Sequence, residues 1–149
     1  GKNVIHEAAT GSGKTITMGI LMLLHPDTIF ITVSPLNELQ WGQVLDLEEI
    51  GIKSLTMNGS MSSSSSIWKV KEGTYQNFIV QPKIFWEQGV QNHFRTLLHN
   101  PEFQKCIGFL LVDEAHNIDH WGHSHDGSPA FRPAWAHLGE AHSTFLGPH

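Results

Sequence analysis

The sequence predicts an α/β fold in which a parallel β-sheet is covered by helices on both faces. Short, almost wholly apolar runs alternate with stretches of helical spacing, the pattern of strands buried on both sides. Turn signals such as Pro26-Asp27, Ser34-Pro35 and Gly51 separate the two kinds of segment. The chain has 149 residues, 40% hydrophobic and 15% charged. That is enough for roughly one domain of about 100–200 residues and far from the composition of disorder.

Asn3–Glu7 reads as a short strand entering a Gly-rich turn over Thr10–Gly13. A helix is expected from Lys14 to Leu24, apolar on most faces and therefore well buried. The β-branched and aromatic run Thr28–Val33 reads as a buried strand. Leu36, Leu39, Val44, Leu47 and Ile50 fall near helical spacing, and Gly51 stands where a helix would close. Lys53–Thr56, Asn77–Val80 and Ile107–Val112 are further strand candidates, with a helix over Val90–Leu98 and Pro101 in the first turn of another. The serine run at 60–66 reads as a surface loop without chemistry.

Nine Lys and Arg against 14 Asp and Glu give a formal charge of −5. A wholly basic nucleic-acid binder is excluded, so any contact with DNA or RNA must be local. A single cysteine, Cys106, excludes a disulfide scaffold and a four-cysteine zinc site. No run reaches the roughly 18–20 apolar residues of a membrane span. The chain opens on Gly1 without a leader pattern and is expected to be a piece of something longer.

Two motifs carry chemistry. Ala8-Ala9-Thr10-Gly11-Ser12-Gly13-Lys14-Thr15 matches a phosphate-binding loop, with Ala8 at the place of the first glycine. Glycines let backbone N–H groups turn toward phosphate oxygens, and the helix N-terminus that follows adds a favourable dipole. Lys14 would neutralise β/γ-phosphate charge and the Thr15 hydroxyl would ligate Mg²⁺. An incidental lysine after a Gly-rich turn is the competing reading; the placement between a strand and a helix favours the phosphate loop. The second motif, Asp113-Glu114-Ala115-His116, follows the strand Ile107–Val112 directly. Asp113 would hold Mg²⁺ and Glu114 would orient or deprotonate an attacking water. A polar strand exit capping the next helix is the alternative, and it loses once the phosphate loop is present. Together the motifs imply a nucleoside triphosphatase.

The letters D-E-A-H point to the superfamily-two helicases, and their surroundings resemble the RecQ family. Thr32-Val33-Ser34-Pro35-Leu36 resembles that family's segment after its second strand, and Phe78-Ile79-Val80-Gln81-Pro82 the stretch before its acidic motif. Trp121-Gly122-His123 and then Phe131-Arg132-Pro133 resemble the family's W-G-H-D-F-R-P, an aromatic-rich loop linking single-stranded DNA to the ATP site. Leu138-Gly139 suits the helix after that loop. The order and spacing of these stretches are more specific than any one of them.

The resemblance implies the first RecA-like lobe, of P-loop NTPase fold, of an ATP-dependent 3′–5′ DNA helicase over residues 1–149. ATP and Mg²⁺ are then the cofactors. Thr10, Gly11, Ser12, Gly13, Lys14 and Thr15 bind the nucleotide, Thr15 and Asp113 the metal, and Lys14, Asp113 and Glu114 serve catalysis. Ser34, Pro35, His116, Trp121, His123, Phe131 and Arg132 belong to nucleic-acid contact and coupling. Single-stranded or forked DNA and a second RecA-like lobe are the implied partners, in an intracellular protein, nuclear in a eukaryote, serving DNA repair and recombination. No membrane is implied.

The sequence departs from the family in three ways. Seven residues, 124–130, stand where the family has one acidic residue, lengthening the aromatic loop at 117–133. Lys83 replaces the usual Glu after the Pro. No Ser/Thr-Ala-Thr strand is present before His149. In this fold that strand lies between the phosphate-loop and acidic-motif strands, so a central gap is expected, and with it an unstable or rearranged chain that is inactive alone.

An RNA helicase of the DEAD or DEAH type is a rival reading, as is a degenerate, non-catalytic module binding nucleic acid or a partner. The eleven histidines also raise a metal site, with His116, His120, His123, His125 and Asp126 close in sequence. A loop without defined ligand geometry is a poor zinc cage, so no zinc is expected. Trp121 and Phe131 could stack on bases or pack the loop, whereas Trp41, Trp68, Trp86 and Trp135 are expected to pack helix faces.

Overall fold

The structure, a computed structural model, describes residues 4–7, 9, 13–35, 37–57, 74–86, 92–124 and 128–146. Among them, β1 (Ile29–Val33), β2 (Ser54–Met57), β3 (Asn77–Val80) and β4 (Ile107–Val112) form one sheet. The order is β2-β3-β1-β4, and every pairing is parallel. The α/β expectation is met.

The pleat sends alternate residues to opposite faces. Ile31, Val33, Phe78 and Val80 enter one core, and Phe30 and Ile79 the other. On the second side lie α1 (Lys14–Leu24), through Met22, and α2 (Asn37–Glu49), through Val44 and Leu47. The first side is covered by α3 (Asn92–Leu98), α4 (Pro101–Cys106) and α6 (Leu138–Leu146), with 3-10 turns at Pro82–Phe85 and Pro133–Trp135. A further short helix, α5 (Asn117–Gly122), occupies the start of the expected aromatic loop.

Local chemistry explains several boundaries. Gly51 takes φ +86°, where an L side chain is strained, and closes α2. Its N–H donates to Glu48 O at 3.0 Å and that of Ile52 to Leu47 O at 2.9 Å, the paired bonds of a Schellman end. Pro101 opens α4, and the Asn100 side chain accepts from the N–H groups of Glu102 and Phe103. The Gln76 amide donates to Met22 O at 2.6 Å and His25 O at 3.0 Å, tying the end of α1 to the start of β3.

Four expectations need correction. Residues 4–7 of the expected first strand carry no regular structure, and Val4 and Ile5 are 86% and 94% exposed. A strand needs a neighbour for its backbone groups; among the described residues nothing pairs with the outer side of β4. For the same reason, among the described residues the sheet ends at β4 with no central gap. Helix α1 is not well buried: Ile16, Ile20, Leu23 and Leu24 are exposed, an apolar stripe at helical spacing. One flank of α1 meets α2 and the sheet, and no described element covers the other. Trp41, expected to pack, is 55% exposed on α2, whereas Trp135 is buried and Trp86 packs against the same core. The serine run at 60–66 and Trp68 lie outside the described residues.

Candidate functional site

Because all four strands are parallel, their carboxyl ends share one rim of the sheet, where open α/β sheets present ligand sites. At that rim β1 runs into Ser34-Pro35 and β4 into the acidic pair. The Asp113 N–H donates to Val33 O at 2.9 Å, extending the ladder by one bond and fixing the acidic pair beside β1. Gly13 precedes α1 with φ 85° and ψ 29°, a left-handed conformation natural to glycine. Lys14 follows as the first residue of the helix. Thr15 is half-buried in the same turn. Thr10, Gly11 and Ser12 lie outside the described residues.

Lys14 Nζ meets Glu114 Oε1 at 3.1 Å, across a hundred positions of sequence. The other carboxylate oxygen, Oε2, lies 3.3 Å from Nδ1 of the exposed His116. Both partners of the lysine pair keep about a quarter to a third of their side-chain surface in solvent, 26% and 30%. Such a pair is worth at most about 1 kcal/mol, so a ligand bearing several negative oxygens can exchange with Glu114 readily. Glu114 itself has φ 52°, the one positive φ of a non-glycine among the described residues. That conformation costs about 1–2 kcal/mol and persists only where its surroundings enforce it. Here the Glu114 N–H donates to Asp113 Oδ1 at 2.9 Å, and the Glu114 carbonyl accepts from Asn117 N–H at 2.9 Å.

Asp113 has a second partner that motif reading misses. From the second turn of α2, Gln43 Nε2 donates to Asp113 Oδ2 at 2.6 Å. One turn earlier Gln40, fully buried, donates to Ser34 O at 3.2 Å. Gln43 Oε1 is buried and finds no partner among the described residues, an arrangement that costs about 1–3 kcal/mol. The available signal in the sequence is slight: two glutamines three apart on the helix after Ser34-Pro35.

The aromatic stretch closes on itself despite the seven extra residues. The Arg132 N–H donates to Trp121 O at 2.8 Å, so the excursion begins and ends at one place. The guanidinium carbon of Arg132 lies 4.9 Å from the centre of the Trp121 ring and 5.3 Å from that of Phe131. Trp121 meets Phe131 and the buried Trp135 edge-on, at 5.8 and 5.9 Å. Arg132 Nη1 also donates to Pro35 O at 2.6 Å, joining this stretch to the segment after β1. Phe131 is 70% exposed and His123 is exposed, while Ser34 is fully buried with its hydroxyl unpartnered among the described residues. Ser34 thus presents no side-chain surface to a ligand here.

The donor set fits a nucleotide with a hard divalent cation. Each Asp113 oxygen accepts one hydrogen bond and keeps lone-pair capacity, Thr15 brings a hydroxyl, and Lys14 brings a cation to a helix N-terminus. Mg²⁺ commonly takes one or two carboxylates and completes its shell with water and phosphate. Among the described residues no group of three or more His, Cys, Asp or Glu side chains could hold a metal ion. His125 and Asp126 lie outside them. No helix among the described residues is long and apolar enough to cross a membrane.

Residues 1–132 match the DEAD/DEAH box helicase family. The chain is 32% identical over 132 residues to the ATP-dependent DNA helicase RecQ of Bacillus subtilis (strain 168), covering 87% of this chain and 20% of that protein. To the ATP-dependent DNA helicase RecQ of Haemophilus influenzae it is 30% identical over 148 residues, 97% of this chain and 22% of the relative. To the ATP-dependent DNA helicase hus2/rqh1 of Schizosaccharomyces pombe it is 24% identical over 152 residues, 99% and 11%. The chain spans about a fifth of the length of the bacterial relatives. With the family match running from the phosphate-loop stretch through Arg132, and a parallel sheet that brings Lys14, Asp113 and Glu114 to one rim, the chain belongs to the DEAD/DEAH box helicase family.

Proposed function

We propose that this chain is the ATP-binding lobe of an ATP-dependent 3′–5′ DNA helicase, an intracellular protein in which a second RecA-like lobe completes the ATP site. The observation that carries the reading is the meeting of Lys14 with Glu114 at 3.1 Å, beside Asp113, at the carboxyl rim of the sheet. Lys14 and the backbone of Thr10, Gly11, Ser12 and Gly13 would hold the phosphates, and Thr15 and Asp113 the Mg²⁺. Bound Mg²⁺ supplies charge neutralisation for the transferring phosphoryl group. Lys14 is paired with Glu114. Phosphate draws the lysine away, because its charge exceeds that of one carboxylate, and Glu114 is then free to orient a water and take its proton. The base is thereby masked until its substrate arrives.

Single-stranded or forked DNA is the proposed second ligand. Phe131 offers an exposed ring for stacking, and Arg132 links the aromatic stretch to the segment after β1. His116, Trp121, His123 and the Ser34-Pro35 segment join it in coupling DNA to the acidic pair. The net charge of −5 requires that this contact be local. DNA is preferred to RNA because the named relatives are DNA helicases. In the complete protein, single-stranded DNA is expected to stimulate ATP turnover well above single-stranded RNA of the same sequence. Equal or stronger stimulation by RNA would overturn the choice of nucleic acid. The strand that the helicase fold carries between the phosphate-loop and acidic-motif strands is proposed to pair with the open edge of β4.

A further inference from the structure

We infer that Gln43 is a positioning residue that holds the Asp113 carboxylate in one orientation for the divalent cation. This rests on the reading of Asp113 as a metal ligand.

The argument begins with what α2 brings to the rim. Its buried positions Gln40, Val44 and Leu47 seat the helix against the sheet, and Gln43 lies beside them, half-buried. From there Gln43 donates to Asp113 Oδ2 at 2.6 Å, while the Glu114 N–H holds Oδ1 at 2.9 Å. A carboxylate with one oxygen tethered can still turn about its terminal torsion, which is soft for Asp. With both oxygens tethered from different elements it cannot. The remaining lone pairs keep a defined direction, which a cation of strict octahedral preference requires.

The choice of side chain also points to this role. Gln43 Oε1 is buried without a partner among the described residues, so as a space-filler glutamine is inferior to methionine, which has similar length and no unsatisfied oxygen. What glutamine adds is a neutral N–H donor. A lysine would donate too, but its charge would compete with the metal for Asp113. An amide orients the carboxylate and leaves its charge for the cation. Groups of this kind around ligating carboxylates commonly change metal affinity about 10–100-fold when removed.

The test uses the complete protein, with Mn²⁺ standing in for Mg²⁺ and a non-hydrolysable ATP analogue, and reads bound metal by electron paramagnetic resonance. Gln43→Met is expected to weaken Mn²⁺ binding by about tenfold or more, to raise the Mg²⁺ needed for half-maximal ATP turnover, and to leave metal-free nucleotide binding unchanged. Gln43→Leu, neutral like the methionine variant and equally without the donor, gives a second reading if the methionine variant folds poorly; it too is expected to bind Mn²⁺ more weakly. Asp113→Asn separates the two levels of inference. If Asp113→Asn loses Mn²⁺ while the folded Gln43 variants bind it like the wild type, the role of Gln43 is overturned and the metal site stands. If Asp113→Asn binds Mn²⁺ normally, both fall. Tighter Mn²⁺ binding by the Gln43 variants would likewise overturn the inference, since it would make Gln43 a competitor of the metal.

Discussion

Glu114→Gln in the complete protein is expected to lower ATP turnover about 10²–10⁴-fold, the usual contribution of a positioned general base. Nucleotide affinity should hold or rise. The substitution keeps side-chain length and the N–H to Asp113, and it costs no additional backbone strain, since Gln at φ 52° is as constrained as Glu. What it removes is the negative charge that pairs with Lys14 at 3.1 Å. That pair is partly solvated and worth at most about 1 kcal/mol, so its loss leaves the fold intact and frees the lysine for phosphate. Phosphate release and fluorescent-nucleotide binding read the two effects separately. A variant that turns over ATP within about tenfold of wild type would remove Glu114 from its proposed role.

The largest expected loss of stability comes from β3. Phe78 is fully buried and meets Phe94 at 5.6 Å and Phe103 at 6.0 Å between ring centres, so it joins the central sheet to α3 and α4. Phe78→Ala removes this ring and leaves a cavity that three surrounding elements can only partly fill, at a cost of about 3–5 kcal/mol. Against a total of about 5–15 kcal/mol, that is a large fraction. At about 2–4 °C per kcal/mol for a domain of this size, thermal unfolding should fall by roughly 6–20 °C. Phe131→Ala is the control: its ring is 70% exposed, and a stability change within about 0.5 kcal/mol is expected. Equal effects of the two substitutions would contradict the core described here.

Legibility in the sequence followed the range of the interaction involved. The strands Asn77–Val80 and Ile107–Val112 were readable to the residue, because apolar runs bounded by polar residues reflect burial on both faces. The end of α2 was readable too, because the backbone at Gly51 decides it within a few residues. The exposure of Ile16, Ile20, Leu23 and Leu24 was not. An apolar residue states what it would bury against, and the neighbour has to be there for burial to follow. The unpaired segment 4–7 fails for the same reason, since strand propensity cannot supply a ladder partner. At the site, motif letters indicated that Lys14 and the acidic pair would converge. The Gln43–Asp113 bond spans 70 positions and the Arg132–Pro35 bond 97. Neither has a local pattern, because both depend on how α2 and the aromatic stretch seat against the same rim.

The central claim is that Lys14 stands where a nucleotide's phosphates bind. Its most direct test is the affinity of the complete protein for ATP–Mg²⁺, measured for wild type and Lys14→Ala. Removing a charged partner from phosphate costs about 1.5–3 kcal/mol, so binding should weaken roughly 10- to 100-fold. An unchanged affinity in a folded Lys14→Ala protein would contradict the phosphate-loop assignment and the function built on it.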